Sequence, residues 1–218
     1  MRVLRVLPLI LLFCVPLLAQ TTPQAQSDPQ AIAVVQAAIT ALGGATAISQ
    51  AQSWTFQAQL AGPIDTGNRS ETIDRKSAAG YVVVNGVTKP APKHMAYSVF
   101  VPALLGAVLL DEFQDPKYGM RYGSTSTLGS EPVTSVTFSM TNSSFAIAQT
   151  WVFSSKTNLP VRVQFRLPGH IGQTRSFSGV VDLSDYRPIS GSWYPFRIVT
   201  WLEDNSPEVI TLQSLSSK

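Results

Sequence analysis

The stretch WVFSSKTNLPVRVQFRLPGHIGQTRSFSGVVDLSDYRPISGSWYPFRIVTWL, residues 151–202, is the part of the chain around which the rest must fit. Four apolar, β-prone runs, Trp151–Phe153, Val161–Leu167, Phe177–Leu183 and Trp193–Leu202, are separated by turn residues. In the second run Val161, Val163, Phe165 and Leu167 alternate with Arg162, Gln164 and Arg166. In the last, Tyr194, Phe196, Ile198, Thr200 and Leu202 share one parity, while Trp193, Val199 and Trp201 put apolar bulk on the other. Alternation with period two, broken by Ser-Lys-Thr-Asn, Pro-Gly and Ser-Gly, predicts consecutive antiparallel strands. Such a sheet must bury one face, and its cover decides the function.

Working outward, Tyr118–Tyr122, Val133–Met140 and Phe145–Phe153 read as further strands, with breaks at Gly123–Ser126, Gly129–Pro132 and Thr141–Ser144. Trp54-Thr-Phe56-Gln-Ala58-Gln-Leu60 alternates cleanly and ends at Gly62-Pro63. Ser70–Arg75 and Tyr81–Val84 follow, Asn85-Gly86 is a strong two-residue hairpin signal, and Pro90–Pro92 closes that section. Ile210–Leu212 is the last strand. About ten strands at this spacing fit a sandwich or barrel, so the fold class is mainly β with some helix.

Two helices are expected. Asp28-Pro29 supplies a capping acid and a proline at the first helical position, Ile32, Val35, Ile39 and Leu42 recur at helical spacing, and Gly43-Gly44 stops the run. Tyr97–Leu110 carries no charge and is apolar on almost every side from Pro102 onward. A helix of that kind must be buried, and it is short for a bilayer span.

The chain has 218 residues, 44% hydrophobic and 13% charged, which fits an export leader plus one ordered domain. Arg2 and Arg5, the apolar run Val6–Leu18 and the small Ala19 predict a signal peptide over residues 1–19. Residues 20–27 then form a polar tether, and residues 28–218 a single domain. Taking Arg2 and Arg5 from 16 basic residues leaves 14 against 13 acidic, a net charge of +1, which gives no electrostatic case for nucleic acid. Cys14, the only cysteine, leaves with the leader, and with it disulfides and thiolate chemistry. Phe13 stands before it, where a lipid-attachment cysteine wants small residues.

The order of parts resembles the LolA-like family of periplasmic lipoprotein carriers, their outer-membrane receptor counterparts and secreted relatives. The residues that carry the resemblance are Leu42-Gly43-Gly44, then Trp151-Val-Phe153 followed by Lys156-Thr-Asn-Leu159-Pro160, then Asp185-Tyr186-Arg187-Pro188-Ile189-Ser190-Gly191 with Tyr194-Pro195-Phe196-Arg197-Ile198. The resemblance spans most of residues 28–215. It implies an unclosed, strongly curved antiparallel half-barrel, with helices closing a concave apolar side that shields an acyl chain. It would make 97–110 part of the lid. Its motifs mark the fold, and no residue role is carried over from the family.

Reactive constellations are sparse. His94 and His170 stand alone in loops, no Gly-x-Ser-x-Gly elbow or phosphate loop occurs, and no cofactor or metal is implied. The acid pairs Asp111/Glu112, Asp182/Asp185 and Glu203/Asp204 read as solvated ends of elements rather than glycosidase carboxylates. What remains is the apolar side. Trp54, Phe56, Tyr81, Phe138, Trp151, Phe153 and Phe165 on the strands, with Leu104, Leu105 and Val108 from the apolar segment, are the candidate ligand-lining residues. They form either a filled core or a cavity for a hydrophobic ligand. The expectation is a non-enzymatic, exported binding protein of the periplasm or cell envelope, holding acyl chains of a lipid or lipoprotein. The alternative is an envelope interaction or sensor module with a filled core, docking a protein partner through 97–110. An unrecognised hydrolase ranks below both.

Overall fold

The computed structural model describes residues 27–63, 66–74, 80–84, 87–91, 104–140, 148–167, 177–202 and 206–218. The leader, nearly all of the tether, residues 97–103, Asn85-Gly86, His94, His170, Glu203 and Asp204 lie outside them.

The helices are α1 (Pro29–Ala41), α2 (Gly44–Gln50) and α3 (Leu105–Gln114). The strands are β1 (Ser53–Ala61), β2 (Thr66–Asp74), β3 (Gly80–Val84), β4 (Val87–Ala91), β5 (Tyr118–Leu128) and β6 (Glu131–Met140), then β7 (Ala148–Ser154), β8 (Pro160–Leu167), β9 (Phe177–Ile189), β10 (Ser192–Leu202) and β11 (Glu208–Ser217). Among the described residues these eleven form one sheet in the order β4-β3-β2-β1-β11-β10-β9-β8-β7-β6-β5. Two antiparallel meanders join where β1 pairs with β11, Trp54 opposite Ser217 and Ala61 opposite Val209. β4 and β5 remain as edges, so the sheet is unclosed. The chain crosses from one edge to the other between Ala91 and Tyr118, and α3 lies on that crossing. One apolar cluster takes side chains from all three helices, from β1 and β2, and from β5 through β11. Both arms of the sheet thus curve round the same helices, which sit on its inner side.

Local chemistry explains the joints. The Asp28 carboxylate accepts from Gln30 N at 2.8 Å and caps α1, as its sequence predicts. The same residue's N–H donates to the Met120 carbonyl, and Ser27 Oγ accepts from Met120 N, so the start of α1 is stitched to edge strand β5. At the other end Trp193 N donates to the Leu42 carbonyl at 2.9 Å. Gly43 packs so closely on the Gly191 carbonyl, at a φ of +117°, that no side chain fits there. β1 shows strict alternation, with Trp54, Phe56, Ala58 and Leu60 buried and their neighbours out.

Several expected boundaries move. β4 is a strand despite Pro90, because an edge strand needs no donor on its open side. β5 runs through the expected break at 123–126, where a register shift between Tyr122 and Thr125 makes a bulge. β9 likewise continues past Leu183 to Ile189, with Asp185 at a φ of +55° where the pairing to β10 skips. The turn after it is Ser190-Gly191, both at positive φ, as tight two-residue hairpins require. α3 does not stop at Leu110; it continues through Asp111 and Glu112 to Gln114.

Candidate functional site

The inner face of the sheet carries the candidate lining residues. Phe138 on β6 and Trp151 and Phe153 on β7 are buried, with ring centroids 6.3 Å apart for each neighbouring pair. Tyr118 at the start of β5 meets Phe138 edge-on at 6.5 Å, a favoured aromatic geometry. Trp54 and Phe56 reach the same core from β1, and the Trp54 indole N–H donates to the Tyr194 hydroxyl at 3.0 Å. Leu105 is buried under the cover helix, while Leu104 and Val108 are partly buried against the cluster. Phe165 on β8 is also partly buried, its ring lying over the bare Cα of Gly179 on β9. Tyr81 is on β3, and its side chain lies outside the described residues. The strand rings and α3 therefore share one apolar interior.

The sequence missed the polar members of this interior. Glu112 was expected among solvated acids, yet it is 7% exposed, because it falls on the face of α3 that carries Leu105 and Leu109. Its Oε1 accepts from Gln149 Nε2 on β7 at 2.8 Å. Gln149 and Trp151 stand two residues apart on β7, so both present to the same face beneath the helix. Burial pushes the Glu112 carboxyl up to about 7; Gln149 and the nearby Trp151 N–H pull it down, and the Asp111 carboxylate raises it further. The Tyr118 hydroxyl is raised by its own burial and by Glu112 and Asp115. Among the described residues Glu112 Oε2 and Trp151 Nε1 have no close hydrogen-bond partner beyond their looser approach to each other. On the far arm Glu71, 2% exposed on β2, faces Arg69 at 3.6 Å. A charged residue with the parity of Ile73 was the available signal for it.

The other ionic contacts serve the outer framework. Arg162 holds Asp182 across β8 and β9 through both carboxylate oxygens, and Arg187 holds Asp185 at 2.7 Å while lying 4.3 Å over the Phe196 ring. The Tyr186 hydroxyl donates to the Pro160 carbonyl at 2.7 Å, and burial raises its pKa. No group of three or more His, Cys, Asp or Glu that could hold a metal occurs among the described residues. Nor is any single helix among them long and apolar enough to cross a membrane.

No protein-family model matches the sequence, and no curated protein matches it. Solved structures do match the fold. A domain from Vibrio parahaemolyticus, described as an outer membrane lipoprotein-sorting protein, superposes with a TM-score of 0.51 at 11% identity, over 87% of this chain and 92% of that one. A DUF1329 family protein from Desulfovibrio piger has a TM-score of 0.49 at 11% identity, covering 88% and 94%. A LolA superfamily protein from Nitrosomonas europaea has 0.48 at 11%, covering 86% and 93%. With an open, curved antiparallel sheet wrapped round helices on its inner side, the chain has the LolA-like fold.

Proposed function

We propose that this is a non-enzymatic carrier of the bacterial cell envelope, holding the acyl chains of a lipid or lipoprotein on the inner face of the half-barrel. One observation carries the reading: the aromatic row Phe138–Trp151–Phe153 shares one buried apolar cluster with α3, the helix on the edge-to-edge crossing, and Gln149 on β7 donates to Glu112 on that helix. On this reading a ligand chain enters that shared cluster alongside α3, and each methylene buried there contributes about 0.8 kcal/mol. The likeness to a lipoprotein-sorting domain supports the reading at the level of fold. Mass spectrometry of the protein purified from the envelope, followed by titration with a fluorescent fatty acid, tests it. Co-purified lipid and saturable binding are expected; neither lipid nor saturation overturns it.

A second reading has its own support. Phe138 and Trp151 are wholly buried in a core they share with α3, as in an interaction module whose interior is filled for good. On that reading fatty acid leaves thermal unfolding unchanged, and the protein is recovered from envelope extracts with a protein partner that Leu105→Asp releases.

A further inference from the structure

Trp193 is the large hydrophobic side chain that stands out from the described surface, 40% exposed at the start of β10. A single ring in water means little by itself, and its setting gives it weight. Pro188, exposed as well, is its partner across β9 and β10, and the turn Ser190-Gly191 between the two strands lies in the open. The Trp193 N–H is tied to the Leu42 carbonyl, and the Gly191 carbonyl is pressed against Gly43, so the hairpin end is fixed to the joint of α1 and α2. That joint belongs to a run from Pro29 to Ile64 without one ionisable residue, and Gly43, Ala45 and Thr46 are exposed there. The ionic groups of the hairpin end, Arg187 and Asp185, hold each other at 2.7 Å. The result is a rigid, uncharged tip with one exposed ring.

We propose that this tip is a membrane contact, with Trp193 seated among lipid headgroups at the bilayer surface. Indole rings favour that level, being apolar in body and able to donate from the ring nitrogen. The rest of the tip gives up no charge hydration on entering it. A protein partner fits less well. A standard interface takes about 800 Å² from each side and is centred on several large anchors, whereas this tip offers one ring amid Gly, Ala, Ser and Pro. A bilayer asks for no matching contour. One ring gives weak, reversible attachment, as a protein that meets a membrane and leaves it again requires. The inference goes beyond the carrier reading and does not depend on a ligand in the interior.

Sedimentation of the purified protein with phosphatidylcholine vesicles tests it, together with quenching of tryptophan emission by lipids brominated near the headgroup. Binding is expected, equal at low and high salt, with quenching that Trp193→Phe removes. Trp193→Ala should lower the partition coefficient about tenfold, the loss of one interfacial ring. Ser190→Asp should weaken binding as well, since Asp tolerates the φ of +50° there but brings a charge to the tip. Both variants should unfold at the wild-type temperature; where Trp193→Ala does not, Ser190→Asp decides. No sedimentation of the wild type overturns the inference, even if Trp193→Ala releases a protein partner from envelope extracts. Binding that high salt abolishes overturns it too. So does binding that the two variants keep, which is how lipid drawn into the interior would behave, and that outcome leaves the carrier reading standing.

Discussion

Among the described residues the interior holds two buried carboxyls, one on a strand of the sheet and one on a helix against it, and they keep different company. Glu71 lies on β2 with a guanidinium two residues away on the same strand. Glu112 lies on a helix against an amide and an indole, and among the described residues the groups that act on it include no cation. Desolvation acts on both, and among the described residues Glu71 is the one with an opposite charge, Arg69, to offset it. The first belongs to a charged pair that must stay intact; the second is an acid that sheds its proton only near neutrality. Burial alone does not set how an acid behaves.

Removing the charge from each acid should therefore act in opposite directions. The largest effect is expected from Glu71→Gln, which removes the carboxylate 3.6 Å from the Arg69 guanidinium in a largely buried site and lowers stability by about 3–5 kcal/mol. Urea unfolding at pH 7 measures it, and a loss below about 1 kcal/mol would mean that Arg69 is served elsewhere. Next comes Glu112→Gln, and here the sign depends on pH. The folded carboxyl is raised from 4.5 to about 7, so the folded state keeps a proton that the unfolded chain releases. The stability it confers is full below pH 4.5 and is lost as pH rises through 7. Relative to the variant, the wild type should thus lose about 3 kcal/mol between pH 4 and pH 8, making Glu112→Gln the more stable form in mild alkali. Parallel unfolding curves across that range would place the carboxyl in water.

Gly179→Ala sharpens the comparison from the neighbouring strands. Its new methyl would collide with the Phe165 ring, which stands opposite Gln149 in the sheet, so the ring must shift toward the partner of Glu112. A loss of about 1–2 kcal/mol is expected, with a changed Glu112 titration by carbon-13 NMR of the labelled carboxyl. An unaltered titration would uncouple that side of β8 from the acid. The smallest effect is expected at the exposed pair Asp185–Arg187, where Asp185→Asn, which removes the charge but keeps a residue that tolerates the positive φ, should leave the denaturation midpoint unchanged within error.

Much of this architecture was legible in the chain itself. The alternation of Trp54–Leu60, the Asp28-Pro29 start of α1 and the Asn158 turn, at a φ of +59°, are set by neighbours in sequence and came through directly. Strand ends were harder. At Gly123 and Asp185 the residues look like breaks because local chemistry cannot tell a bulge, which keeps pairing on both sides, from a turn. The buried acids were harder still. Glu112 is buried because one face of α3 meets β7, and its partner Gln149 lies 37 residues away, beyond the reach of any local pattern. The aromatic residues declared an interior without declaring who shares it.

The pairing of β1 with β11 sets the order in which the molecule can be completed. Thr55 and Ser216 come into contact across 161 residues of chain, so closing that loop costs more chain entropy than closing any hairpin of the sheet. Until the C-terminal strand arrives, each meander has an open flank where the other belongs, and contacts of such high contact order form slowly.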